Sequence, residues 1–188
     1  METYNPNIIH ILGASGSGTT TLGKAISEEY GFRHIDADDY FWLPTDPAYT
    51  RKRELSQRQK LLGEAIASQQ RCVISGSLCG WGDVFIQVFE LFILVEAPTE
   101  LRIRRLKQRE YRHFGHRILP GGDMYENHIQ FLVWAAKYDT AGVEQRSRAL
   151  HAQWLKGVKC PVIPVDGTKP IAETLAELGR VIHKDPAV

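Results

Sequence analysis

The sequence predicts an α/β fold built on a five-stranded parallel sheet with helices on both faces. Three observations carry this. Short apolar, β-branched runs alternate with helical patterns along the whole chain. The run Leu91–Val95 has no polar alternation, as expected of a strand buried on both faces. Gly13, Asp36, Gly76 and Asp166 each follow a strand directly, and the carboxyl ends of parallel strands are where such sheets hold ligands.

Each element has its own warrant. Asn7–Leu12 is the first strand, and Gly13–Gly18 follows with three glycines and two serines in six residues. Thr20–Tyr30 is helical, with Leu22, Ala25 and Ile26 on one face and Gly31 as its stop. Phe32–Ile35 is a second strand, with Asp36-Ala37-Asp38-Asp39 just past it. Tyr40–Tyr49 holds four aromatics and two prolines and reads as a loop. Arg51–Gln69 has helical spacing through Leu55, Leu62 and Ile66. Cys72–Ile74 is a third strand, Gly76–Gly82 a glycine-rich turn, Val84–Phe89 a short helix and Leu91–Val95 the fourth strand. Glu100–Glu110 is helical and Tyr111–Asp123 a loop around Pro120-Gly121-Gly122. Helices Met124–Tyr138 and Glu144–Lys156, strand Val162–Val165 and helix Ile171–His183 complete the order.

Composition bounds the function. A chain of 188 residues fits a single domain, 1–188, and one that hides about 70% of its unfolded surface. With 43% hydrophobic and 24% charged residues it is neither disordered nor fibrous. Lys plus Arg is 23 against 22 acids, a net charge of +1. That balance argues against non-specific binding to nucleic acid or anionic membrane. No apolar run reaches the ~18 residues of a membrane span, and Met1–Pro6 carries no signal-peptide pattern. Cys72, Cys79 and Cys160, with no CxxC, read as buried reduced thiols. The expected location is cytoplasmic, and oligomeric state is not readable.

Three groups of residues carry chemistry. Gly13-Ala14-Ser15-Gly16-Ser17-Gly18-Thr19-Thr20 fits the phosphate-binding loop GxxxxGK(S/T) at every fixed position but one. Such glycines let consecutive backbone N–H groups surround phosphate oxygens, and the helix behind adds its positive end. Thr20 is placed to put a hydroxyl on Mg²⁺. Thr19 stands where the motif has lysine, a point charge for the β- and γ-phosphates. Arg105, Arg109 and Lys24 are candidates to restore that charge. The dinucleotide fingerprint GxGxxG fits less well.

The second group is Asp36 with Asp38. Carboxylates at a strand end beside a phosphate loop either hold Mg²⁺ through water or accept a proton from a substrate hydroxyl. Helix capping is the plainer alternative, and Asp39 is assigned to it. The third group is basic. Arg102, Arg104, Arg105, Lys107, Arg109, Arg112 and Arg117 lie within 16 residues, ahead of Pro120-Gly121-Gly122. This resembles a mobile lid carrying guanidinium groups, of which Arg109, Arg112 and Arg117 are the candidates to clamp a phosphoryl group. Arg104 and Lys107 read as solvated. Tyr40, Phe41, Trp42 and Tyr49 either line an acceptor pocket or fill a core corner. Arg51, Lys52 and Arg53 either meet an acceptor phosphate or open an exposed helix. His113-x-x-His116 lacks a third metal ligand.

Phosphate loop, acidic pair, basic lid and a closing Asp166-Gly167-Thr168, in that order, resemble the adenylate-kinase-related small kinases over nearly the whole chain. The GASGSGTTTLG, DADDYFWLPTDP and PGGDM segments are similar to an uncharacterised bacterial branch of that family. The resemblance implies the P-loop NTPase, nucleoside-monophosphate-kinase-like three-layer sandwich. It also implies an acceptor-binding helical insert near 40–67, a lid near 109–123, and ATP with Mg²⁺ as cofactors. Carried over, Gly13, Ser15, Gly16, Ser17, Gly18, Thr19, Thr20 and Thr21 would bind ATP phosphates. Asp36 and Asp38 would serve magnesium or the acceptor. Arg109, Arg112 and Arg117 would be lid arginines, and Gly167 would lie under the adenine. Thr19, and Ser75-Gly76-Ser77 in place of Asp-Gly and a nearby arginine, depart from adenylate kinase proper. The expected activity is ATP-dependent phosphoryl transfer to a small acceptor, a nucleotide or a hydroxyl metabolite. The alternatives are a nucleotide-binding regulator and a partner-coupled NTP hydrolase.

Overall fold

The computed structural model describes residues 5–183. They fall into two compact units. The first comprises the chain up to Gly13, Gly18–Glu96 and the chain from Gly157 on. It holds five strands: β1 (Ile8–Gly13), β2 (Arg33–Asp36), β3 (Cys72–Ser75), β4 (Leu91–Glu96) and β5 (Val162–Asp166). All pair in parallel, in the order β2-β3-β1-β4-β5. The expected parallel α/β class is therefore the observed one. The register sets Asp36 opposite Ser75 and Glu96 opposite Asp166, which fixes the carboxyl edge of the sheet.

Alternation along β1 divides the core. Ile9 and Ile11 enter a buried cluster with Leu22, Ile26 and Tyr30 of α1 (Thr19–Tyr30), Val73, Ile93 and Leu178 of α7 (Ile171–Leu178). Each fully buried side chain of this size contributes about 1.5–3 kcal/mol. His10, from the other face of the strand, stacks on Phe89 at 4.9 Å and sets Nδ1 3.2 Å from the Ile74 carbonyl. Helix α1 stops at Gly31, whose φ of 74° only glycine adopts cheaply and whose N–H donates to the Ser27 carbonyl at 3.1 Å.

Several boundaries differ from expectation, each for a local reason. Ala37–Phe41 is a short helix, α2, rather than turn and loop, because Asp36 caps it: its Oδ1 accepts the Asp38 N–H at 3.1 Å. The chain then folds back on itself. Leu43 N donates to the Arg51 carbonyl and Arg53 N to the Phe41 carbonyl, both at 2.9 Å, so helix α3 (Leu55–Ala67) starts after this pairing and not at Arg51. Val84–Phe89 is not a helix; a single 3-10 turn covers Asp83–Phe85. Cys72 is buried, which pushes its thiol up to about 11, but Cys79 and Cys160 are half-buried.

The second unit comprises Ala14–Ser17 and Ala97–Lys156. Its helices are α4 (Thr99–Phe114), α5 (Tyr125–Ala136) and α6 (Arg148–Leu155). Leu106, Leu132 and Ala135 form its core, with Ile103, Phe131 and Trp134 packed against them. The expected loop from Tyr111 is partly regular: α4 runs on to Phe114 and a 3-10 turn spans Gly115–Ile118. Helix α6 begins at Arg148 rather than Glu144 because Ser147 is its cap, accepting the Leu150 N–H at 3.0 Å. The last helix closes at Leu178, short of His183. Among the described residues no helix is long and apolar enough to cross a membrane.

Candidate functional site

Strand order singles out one edge of the sheet in the first unit. β1 and β3 are neighbours, yet the chain leaves β1 for β2 on one side and β3 for β4 on the other. Parallel sheets open a ligand crevice at the carboxyl ends of such a pair. Gly13 ends β1 there and Gly76 follows β3. Gly76 has φ 111°, donates its N–H to the Ile11 carbonyl at 3.1 Å, and would set a Cβ 2.9 Å from the Ala37 Cβ.

Thr19, Thr20 and Thr21 open α1, so their N–H groups have no partners within the helix. Gly18 precedes them at φ 112° and has no side chain to cap this end. It is therefore left positive and suited to an anion. The Thr20 hydroxyl donates to Asp36 Oδ2 at 3.1 Å. Both Asp36 oxygens are thus engaged, one by the loop and one by the Asp38 amide. Asp38 is exposed in the first turn of α2. Burial, and then the Asp36 charge, raise the pKa of Asp39 above the ordinary carboxylate value. His34 is held by Ser75, with Nε2 2.9 Å from its Oγ, and burial lowers its pKa. Gly23 allows this, since a Cβ there would fall 2.6 Å from the imidazole. A cleft of about 270 Å³ beside β2 is lined by His34, Asp36, Asp39, Tyr40, Ser68 and Gln69. Arg53, an acceptor-phosphate candidate, is committed to backbone, donating to the Tyr40 and Trp42 carbonyls at 3.1 and 3.3 Å.

Ser15, Gly16 and Ser17 belong to the second unit. Gly16 has φ 81°, and a Cβ on it would meet the Arg102 carbonyl oxygen at 2.6 Å. The Ser17 amide, expected to face an anion, instead donates to the Ala14 carbonyl at 3.0 Å and closes a turn. Ser17 Oγ is buried with no hydrogen-bond partner among the described residues. Arg105 Nη1 donates to the Ser17 carbonyl at 3.3 Å, and Arg146 Nη1 lies 3.5 Å from Ser15 Oγ. Sequence reasoning passed over Arg146, which it placed inside a helix. The signal was Ser147, whose capping role leaves Arg146 just outside.

The three lid candidates contact their own segment. Arg109 Nη2 is 3.4 Å from Glu110, and Arg112 Nε donates to the Gln108 carbonyl at 3.3 Å. Arg117 grips Asp123 with Nη2 at 2.7 Å and Nε at 3.0 Å, which lowers the pKa of that carboxyl. In the first unit, Gly167 N donates to the Glu96 carbonyl at 2.7 Å. Asp166 Oδ1 accepts both the Thr168 N–H and hydroxyl, which lowers its pKa. Among the described residues no cluster of three or more His, Cys, Asp or Glu is arranged to hold a metal. Thr20 and Asp36 present hard oxygens of the kind that Mg²⁺ takes.

The profile of the AAA domain family matches residues 9–119. "Uncharacterized protein YqaC" of Bacillus subtilis (strain 168) is 44% identical over 158 residues, covering 84% of this chain and 87% of its own. A cytidylate kinase of Methanocorpusculum labreanum is 35% identical over 118 residues, 54% of this chain and 62% of the relative's length. A solved shikimate kinase from Bacteroides thetaiotaomicron superposes with a TM-score of 0.58 at 17% identity, over 93% of this chain and 97% of that one. That last likeness is one of fold. With the profile spanning four of the five strands and all of α4, the chain belongs to the AAA domain family.

Proposed function

We propose that this protein transfers a phosphoryl group from ATP to a small acceptor, a nucleotide or a hydroxyl metabolite. The observation that carries this is the Thr20–Asp36 hydrogen bond, which ties the phosphate loop to the acidic end of β2. The cytidylate kinase likeness supports it.

In this reading the amides at the start of α1 and the loop glycines hold the phosphates of ATP. Thr20 and Asp36 would hold Mg²⁺, which would supply neutralising charge for phosphoryl transfer. Asp38, exposed and beside Asp36, receives the acceptor's proton. The region near 40–67, with the cleft beside β2, takes the acceptor. Residues 109–123 are the lid in this reading, with Arg109, Arg112 and Arg117 as its phosphoryl-clamping candidates. Residues 166–169 lie under the adenine.

Thr19 favours a second reading, in which the protein binds nucleotide as a regulator or hydrolyses it only with a partner. ADP release measured with and without a panel of nucleoside monophosphates, nucleosides and small hydroxyl compounds separates these. Acceptor-dependent release supports the kinase. Release that ignores every acceptor, or none at all, sinks it.

A further inference from the structure

We infer that the group accepting the phosphoryl is an alcohol hydroxyl of a polyhydroxylated molecule, and not the phosphate of a nucleotide. The inference rests on the proposed reading that the cleft beside β2 takes the acceptor, and it names the acceptor's class.

The cleft of about 270 Å³ lies wholly within the first unit. Its charges are unevenly placed. Asp36 ends β2, and its Oδ2 accepts the Thr20 hydroxyl at 3.1 Å, so this end of the cleft adjoins the start of α1. Asp39 stands on the helix that Asp36 caps and lines the cleft with it. The cation of the lining is Arg33, which opens β2. That is about 10 Å from Asp36 along an extended strand. His34 lies between them, and burial lowers its pKa, so it carries no charge at neutral pH.

The reacting atom belongs at the Asp36 end. A nucleoside monophosphate would bring there a phosphate of charge about −1.5 to −2, against Asp39. Burial and the Asp36 charge already raise the pKa of Asp39, so further negative charge is disfavoured at this place. Arg53 and Arg58 of the neighbouring insert are engaged elsewhere. Arg53 donates to the Tyr40 and Trp42 carbonyls at 3.1 and 3.3 Å. Arg58 donates to the Arg53 carbonyl and lies over the Phe41 ring, 4.1 Å from its centroid. The turn after β3, Gly76–Gly82, holds no basic residue.

Hydrogen bonding points the same way. Ser68 donates its hydroxyl to the Ala65 carbonyl at 2.9 Å, and Gln69 Nε2 donates to Ser68 Oγ at 3.0 Å. With the two carboxylates, this lining offers mainly acceptor oxygens. A phosphate dianion brings acceptors alone, whereas each alcohol hydroxyl brings a donor. In the transfer the hydroxyl oxygen bonds the γ-phosphorus of ATP, the bond from that phosphorus to the ADP oxygen breaks, and the hydroxyl proton passes to Asp38. The product is a phosphate ester, whereas transfer to a nucleotide would give an anhydride.

Phosphorus NMR tells these products apart. The protein is incubated with ATP and Mg²⁺ and either a panel of nucleosides, pentoses, hexoses and cyclitols or the nucleoside monophosphates. The expected product is a phosphate ester from the first panel. Asp39→Asn should raise KM for that acceptor by about tenfold, with KM for ATP unchanged. Gln69→Ala, just past α3, should raise it as well, and decides the matter if Asp39→Asn does not fold. A nucleoside diphosphate as the main product overturns the inference and leaves the kinase reading standing. An equal rise in both KM values, or no rise in either variant, overturns the assignment of the cleft. No acceptor product from either panel removes the kinase reading and the inference together.

Discussion

The Thr20 hydroxyl and Asp36 Oδ2 are 3.1 Å apart, although one opens α1 and the other ends β2. Asp36 orients the hydroxyl from one oxygen and caps α2 from the other. Groups that orient a metal ligand typically matter by about 10–100-fold in affinity or activity. Thr20→Val and Asp36→Asn should each lower Mg²⁺-dependent turnover by roughly that factor, with melting curves close to wild type. Asp38→Asn should lower it with ATP affinity unchanged, because its side chain faces the acceptor in the proposed reading. If steady-state assays find all three at wild-type rates, these oxygens are caps and turn residues only.

Much of this geometry was legible from local sequence. The glycine loop, the strand before it and the helix behind it lie within about 25 consecutive residues, where spacing alone speaks. Gly31 as the stop of α1 was readable because only glycine adopts its φ easily. What escaped depends on partners distant in sequence. Nothing near Arg102 marks it as fully buried; its carboxylate partner is Asp139, on another turn of chain. Arg146 meets Ser15 across more than a hundred residues. The short helix α2 was missed because an Asp-rich stretch reads equally well as a turn until Asp36 is seen to cap it.

Gly16 faces two obstacles to a side chain at once. Its φ of 81° is unfavourable for an L-residue, and a Cβ would stand 2.6 Å from a backbone oxygen of α4, which cannot swing aside. Gly16→Ala should cost about 1–3 kcal/mol, the scale of a strained backbone position, read as a lower denaturation midpoint. Gly18→Ala has only the backbone term, since nothing lies within 4 Å of its Cβ position. It should therefore be the milder of the two, and the reverse order would refute this account.

Arg102 is a fully buried arginine of the basic run. Nη2 is 2.6 Å from Asp139 Oδ2 and 2.7 Å from Thr99 Oγ1, Nε donates to the Ala97 carbonyl at 3.0 Å, and Nη1 to the Ala135 carbonyl at 3.3 Å. Burial raises the pKa of Asp139, but hydrogen bonds from Thr99 and Arg148 and the Arg102 charge outweigh it, and the net shift is downward. Arg102 is buried, but Asp139 is exposed and keeps Arg148. What Arg102→Ala removes is thus the hydrogen bonding of a buried guanidinium, and a hydrogen bond to a charged group contributes about 1.5–3 kcal/mol. Arg102→Ala should therefore destabilise by that order in urea melts, whereas Arg104→Ala, exposed on the same helix, should change stability by less than about 0.5 kcal/mol. Comparable losses in the two variants would remove the structural role given to Arg102.

His151 makes stability depend on pH. It is almost fully buried, with Nδ1 2.9 Å from the Tyr138 hydroxyl. Burial first, and the Arg146 charge second, lower its pKa from 6.5 to about 4. The unfolded chain therefore binds a proton below pH 6.5 that the folded protein refuses until near pH 4. A lowered folded-state pKa gives stability that is complete above the unfolded value and is lost as pH falls through this window. By linkage the loss reaches about 3 kcal/mol at the acid end. His34, lowered by its own burial, acts in the same direction. Denaturant melts between pH 7 and pH 4 should show wild-type stability falling faster than that of His151→Gln, whose side chain carries no charge at any of these values. Because Arg146 contributes to the shift, Arg146→Gln should raise the His151 pKa and make the fall shallower, as NMR titration of the imidazole would show directly. Parallel stability curves for wild type and His151→Gln would mean that His151 titrates alike in both states.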